Sequence, residues 1–165
     1  MEKTYKDSIR NAMYAVYGPQ PPIPVIGRLE DELELIDDGK LPERQLLAQA
    51  IRDAAGKAGC EADAALHDGA SFVNWLAGVT TVNPLPPHYL CSSCHRTEFH
   101  YETRDSFDLP EKQCCGKPML CFGHRIPAES AEALVTVTEL RIRIPWPFAP
   151  DALRAMDEHL KQQGA

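Results

Sequence analysis

The sequence predicts an α+β fold: N-terminal helices, a fragment of sheet, a small cysteine-rich insert and a C-terminal helix. Three observations lead there. Apolar residues recur at helical spacing through the first third of the chain. A β-branched, alternating stretch at 134–144 reads as strand. Five of the six cysteines fall within residues 91–121, between these two regions.

Residues 5–17 place Tyr5, Ile9, Ala12, Met13 and Val16 on one helical face and stop at Gly18-Pro19. The proline-rich stretch to Pro24 is expected to be an extended connector. A second amphipathic helix is predicted over 27–37, with Leu29, Leu33 and Ile36 inward and Asp38-Gly39 ending it. A third starts near Pro42, carries Leu46, Leu47, Ala50, Ile51 and Ala54, and stops around Gly56–Gly59. Ser71 to Val79 reads as a short buried helix bearing Phe72, Trp75, Leu76 and Val79. Asn83-Pro84-Leu85-Pro86-Pro87 must be extended, because a residue before proline avoids the α region. Tyr89–Leu90 and Thr97–Tyr101 are candidate short strands. In 134–144 the apolar parity switches near Thr138–Glu139, from Val135 and Val137 to Leu140, Ile142 and Ile144, which implies a bulge or turn. Asp151 is expected to cap a final helix with Leu153, Met156 and Leu160.

At 165 residues, 44% hydrophobic and 25% charged, the composition is that of a globular domain with room for one core and a small appendage. No run of 18 apolar residues is present to span a membrane, and the N-terminus has no apolar signal region, so a cytoplasmic location without membrane partners is expected. A net charge of −7 works against non-specific adhesion to nucleic acid, whose phosphates attract clustered Lys and Arg.

In a reducing compartment clustered cysteines more often bind metal than form disulfides. Cys91-Ser92-Ser93-Cys94 is a C-x2-C knuckle, which points two thiolates at one tetrahedral zinc. About twenty residues later stands Cys114-Cys115-Gly116, an irregular second pair whose adjacent side chains need a distorted turn to share an ion. The candidate ligands are Cys91, Cys94, Cys114 and Cys115 of a structural zinc. Cys121, His95, His100 and His124 are alternatives for the fourth position. The competing reading is reduced thiols packed as small apolar groups. No H-E-x-x-H motif is present to suggest a catalytic zinc.

Ser71-Phe72-Val73 followed by the string Val82-Asn83-Pro84-Leu85-Pro86-Pro87-His88-Tyr89-Leu90-Cys91-Ser92-Ser93-Cys94 resembles the PolC-type alpha subunit of bacterial DNA polymerase III. So do Ser106-Phe107-Asp108-Leu109-Pro110-Glu111-Lys112, Cys115-Gly116, Gly123-His124-Arg125-Ile126-Pro127, Tyr17-Gly18-Pro19 and Arg28-Leu29-Glu30-Asp31-Glu32-Leu33. The similarity covers roughly residues 11–146. It implies part of the polymerase palm with its zinc-binding element, here as a short stand-alone form. The helical part of the palm-like domain would be 1–87, the zinc-binding insert 88–124, and palm-like strand with C-terminal helix 125–165.

Departures from that family point away from catalysis. DNA-directed DNA polymerase activity needs paired carboxylates holding two Mg²⁺ ions. Where the resemblance places the two aspartates, this sequence has Arg141 and Arg143, so no catalytic residue is assigned. The family's Gly/Ser-rich loop with a central arginine corresponds here to Asp63 through Ser71, with Ala65 at the arginine position and two acids introduced. No other cofactor site is assigned. The expected function is a non-catalytic zinc-binding protein, derived from the palm, with a binding or regulatory role in DNA replication and a protein partner there. The alternative is a subunit of a split polymerase whose acids come from another chain, with Glu139 or Asp105 as possible contributors. Arg141 and Arg143 either touch an anionic partner, DNA included, or line a solvated strand face. His67-Asp68 reads as exposed loop, and Trp75 and Trp146 as core.

Overall fold

The computed structural model describes residues 5–36, 50, 52–57, 63–64, 71–127, 142–143, 150, 154, 157, 158 and 161. Helix α1 (Tyr5–Tyr17) buries Ile9, Met13 and Tyr17, one residue per turn along a single stripe. Helix α2 (Ile23–Glu34) buries Val25, Leu29 and Leu33, and Ile36 just beyond it joins the same core. Its start corrects the expected connector to Pro24. Pro22 is the N-cap and Pro24 stands in the first turn, where backbone N–H groups have no intrahelical acceptor and proline loses nothing. The two helices are clamped by a two-pronged pair, Arg10 Nε to Glu30 Oε1 at 2.8 Å and Arg10 Nη2 to Glu30 Oε2 at 2.7 Å. Being part-exposed, that pair contributes on the order of 0.5 kcal/mol.

Helix α3 (Phe72–Leu76) is shorter than the predicted 71–79. Ser71 caps it by accepting the Asn74 N–H, and Gly78, at φ +71, closes its end. Phe72 is fully buried, stacked on Trp75 at 5.7 Å and edge-on to Tyr17 at 6.2 Å. Burial of one such ring is worth roughly 2–3 kcal/mol.

Among the described residues three small antiparallel sheets accompany the helices, and the fold is α+β. Strand β1 (Asp63–Ala64) pairs with β7 (Ile142–Arg143), Asp63 opposite Arg143. Strand β2 (His88–Leu90) lies between β3 (Thr97–Phe99) and β6 (Leu120–Phe122), and all three of its residues are buried. Strands β4 (Gln113–Cys114) and β5 (Lys117–Pro118) form a two-residue hairpin. Strands β4, β5 and β6 were not anticipated, because two- and three-residue strands carry no readable alternation.

The sequences Asn83–Pro87 and Gly123–Pro127 are one structural unit. The amides of His124, Arg125 and Ile126 donate to the carbonyls of Asn83, Leu85 and Pro84 at 3.0, 3.0 and 2.9 Å. Prolines cannot donate, so toward Gly123–Pro127 the proline-rich segment supplies carbonyl acceptors and its partner the N–H groups. Gly123 lies so close that an added Cβ would stand 2.3 Å from the Pro86 carbonyl oxygen.

Residues 52–57 are helical within the predicted third helix, and Ala54 and Ala55 are buried. Pro150 is already helical, one residue ahead of the expected cap at Asp151. The expected helix start at Pro42, Cys60, loop residues Ala65, His67 and Asp68, residues 134–141 with Glu139 and Arg141, and Trp146 lie outside the described residues.

Candidate metal centre

Two turns build the site. In the first, the Cys91 carbonyl accepts from the His95 amide and the Cys91 amide donates to the Arg96 carbonyl, both at 2.9 Å. This folds Cys91–Cys94 back on itself, with His95 at φ +58. Backbone N–H groups of Cys94 and Ser93 then point at the Cys91 sulfur and hold its pKa down, to about 6.

The second turn is the β4–β5 hairpin. Its two central residues are Cys115 at φ +53 and Gly116 at φ +72, the left-handed pair that a tight hairpin with the correct twist requires. This is how two adjacent cysteines come to face one point. Cys114 ends a strand, and Cys115 is swung back by the left-handed backbone.

The sulfurs of Cys91, Cys94, Cys114 and Cys115 lie within 4.8 Å of one another, a group that could hold a metal ion. Cys94 Sγ is 3.7 Å from Cys114 Sγ, and Cys114 Sγ is 3.8 Å from Cys115 Sγ. Cys91 is buried, Cys114 is partly covered, and Cys94 and Cys115 are exposed. Hydrogen bonds to Cys94 and Cys91 push the Cys114 thiol up to about 12, as expected where several sulfurs share few protons.

The alternative fourth ligands have other contacts. Cys121, on β6 opposite Tyr89, packs beside the small apolar cluster of Tyr89, Cys91 and Met119. His95 Nδ1 is 2.8 Å from the Val16 carbonyl, which docks the knuckle onto the last turn of α1. His100 lies edge-on to the Tyr89 ring at 5.1 Å. His124 Nδ1 is 3.0 Å from Asp105 Oδ2, and this hydrogen bond lowers the Asp105 pKa. Asp105 also caps the 3-10 turn Ser106–Asp108 by accepting the Phe107 N–H. It is thereby committed to structure.

At the N-terminus of α3, just after the stretch that the resemblance matched to a phosphate loop, two backbone amides are occupied by the protein itself. Glu32 Oε1 and Oε2 each accept one at 2.9 Å, from Phe72 and Val73. Nothing in the sequence marked Glu32 as buried; its signal was only its place four residues after Arg28 on the acidic side of α2.

Comparison with known proteins agrees with the paired motifs. Over 124 residues the chain is 38% identical to the DNA polymerase III PolC-type of Latilactobacillus sakei, covering 73% of this chain and 9% of that protein. It is 36% identical to the protein of the same name from Lacticaseibacillus paracasei over 134 residues, and to that of Staphylococcus aureus over 132 residues, covering 79% and 75% of this chain.

The chain resembles a segment of PolC-type DNA polymerase III.

It spans about 9% of the length of the PolC-type relatives it matches. No family model matches it. Among the described residues of this PolC-like segment, no helix is long and apolar enough to cross a membrane.

Proposed function

We propose that this PolC-like segment is a non-catalytic, zinc-stapled binding element that serves DNA replication through a protein partner. The observation that carries the proposal is the sulfur geometry. Tetrahedral zinc with Zn–S bonds of about 2.3 Å requires S···S edges of about 3.8 Å. The distances of 3.7 and 3.8 Å in the cluster match that edge, and four thiolates suit zinc better than harder ions. With all four positions taken by protein, the ion is a staple and has no open position for substrate.

The non-catalytic part is supported by Arg141 and Arg143, which stand where the resemblance implies two Mg²⁺-binding aspartates. Cations there would repel Mg²⁺. The net charge of −7 favours a protein partner over DNA.

The test is elemental analysis of protein purified without chelators, followed by primer extension with Mg²⁺. The expected result is one zinc per chain and no nucleotide incorporation. Incorporation by the isolated chain would overturn the non-catalytic reading. Absence of metal would overturn the staple. Activity that appears only with a second chain supplying the acids would instead support a split polymerase.

A further inference from the structure

We propose that Cys115 is a modification site, the thiol at which a hydroperoxide or another soft electrophile first attacks the cluster, and that Cys94 resolves the oxidised sulfur as a disulfide. The metal-releasing half of this proposal rests on the zinc reading above; the order of thiol reactivity does not.

The four sulfurs are not held alike. Cys91 is buried and lies inside a hydrogen-bonded turn. Cys114 is paired in β4 opposite Lys117, and its carbonyl lies 3.9 Å from the Cys91 sulfur. Cys115 has no such anchor. It occupies the first central position of the hairpin turn, is exposed, and holds a left-handed backbone conformation at φ +53. The Cys115 sulfur can leave the ion by rotation of its exposed side chain with the hairpin turn kept, whereas the Cys91 sulfur is buried and the Cys114 side chain is partly covered. Exposure and ease of detachment select the reactive sulfur.

The resolving thiol follows from the same geometry. Cys114 is adjacent, and a disulfide between neighbours closes a strained ring. Cys91 is covered. Cys94 is exposed and lies within 4.8 Å. The Cys115 thiolate attacks the outer oxygen of the hydroperoxide and the O–O bond breaks. An alcohol (or water) leaves, and Cys115 becomes a sulfenic acid. Cys94 then attacks that sulfur, the S–S bond forms, the S–O bond breaks, and water leaves. Two zinc-bound thiolates, one hydroperoxide and two protons taken from solvent give one disulfide, one alcohol and one water; Zn²⁺ departs with its charge unchanged for want of two ligands.

The experiment uses the full chain with its metal content measured beforehand. Hydrogen peroxide is added stepwise, released zinc is read with a chromogenic chelator, and disulfides are mapped by mass spectrometry of non-reduced peptides. One zinc should leave per peroxide consumed, with Cys94 linked to Cys115. Cys115→Ser should keep zinc on three sulfurs and slow its release by about tenfold or more. Inserting two glycines between Cys114 and Cys115 restores C-x2-C spacing without removing a thiol, and should slow release similarly. If Cys115→Ser fails to hold metal, the insertion variant decides. Release from the variants as fast as from the parent would overturn the proposal, as would a first disulfide that omits Cys115. Should the parent carry no zinc, the zinc reading fails by itself, and limited iodoacetamide labelling of the four cysteines still tests whether Cys115 reacts first.

Discussion

Glu32 accepts a hydrogen bond from Ser71 Oγ at 2.7 Å, joining α2 to the start of α3 across 39 residues of sequence. The same carboxylate takes the Phe72 and Val73 amides and the Arg28 guanidinium at 2.5 Å, and Arg28 reaches the Ile126 carbonyl at 2.9 Å. One buried acid thus ties α2 to α3 and, through Arg28, to the segment that pairs with the proline-rich stretch. Removing it leaves the Phe72 and Val73 amides without their acceptor and Arg28 without its carboxylate. Glu32→Ala should destabilise the fold by about 3 kcal/mol or more in urea titration, and Glu32→Gln by less. Neutral behaviour of the alanine variant would show that water replaces the carboxylate.

A second buried network makes stability depend on pH. Leu85 donates to Asn83 Oδ1, Asn83 Nδ2 to Tyr17 Oη, and Tyr17 to His88 Nε2 at 3.0 Å; His88 Nδ1 donates to the Pro86 carbonyl at 2.8 Å. This pattern is complete with a neutral imidazole, and burial lowers the His88 pKa to about 4. The unfolded chain therefore binds a proton here between about pH 6.5 and 4 while the folded chain does not. Stability from this residue is whole above pH 6.5 and falls as pH drops to 4, by about 3 kcal/mol in total. Urea midpoints measured across that range should fall, and His88→Gln should flatten that part of the curve. A parent curve as flat as the variant's would refute the assignment.

Glycine substitutions should separate position from composition. Gly123 has φ +105 and no room for a Cβ against the Pro86 carbonyl, so Gly123→Ala must push apart the Asn83–Pro87 and Gly123–Pro127 segments. A loss of about 3 kcal/mol is expected, from strain plus broken hydrogen bonds. Gly27 lies inside α2 with nothing within 4 Å of its Cβ position. Gly27→Ala should raise stability by about 0.5–1 kcal/mol. Thermal melts of the two variants should move in opposite directions.

The sequence displayed what repeats and concealed what is folded across. Helix α1 was readable because Tyr5, Ile9, Ala12, Met13 and Val16 recur at helical spacing, although the buried Tyr17 was not placed on that face. The start of α2 was misjudged because Pro22 and Pro24 look like breakers until their place in the first turn is known. The grouping of Cys91, Cys94, Cys114 and Cys115 was visible from clustering and from the knuckle, whereas the hairpin that makes Cys114-Cys115 workable was not. A left-handed cysteine has no signature apart from the glycine after it. Glu32 and the His95–Val16 contact were illegible for another reason: their partners lie 39 to 79 residues away, and a helical glutamate or a loop histidine normally faces solvent.

Metal removal should divide the structure into two parts. The core of Met13, Leu29, Leu33, Phe72 and Leu90 is apolar and closed by hydrogen bonds that involve no cysteine sulfur. The knuckle and the β4–β5 hairpin have little core of their own, only Tyr89, Cys91 and Met119 with a few half-buried neighbours. Strong chelation should therefore leave most helical circular dichroism intact while amide exchange over 113–118 accelerates by orders of magnitude, since a two-stranded hairpin is marginal in water. His95 joins the two parts through the Val16 carbonyl, so protection at the end of α1 should fall slightly. Cys91→Ser should reproduce the exchange pattern without chelator. If chelation instead collapsed the helices along with the hairpin, the cluster would be holding the whole domain, and the apolar core would be too small to fold without it.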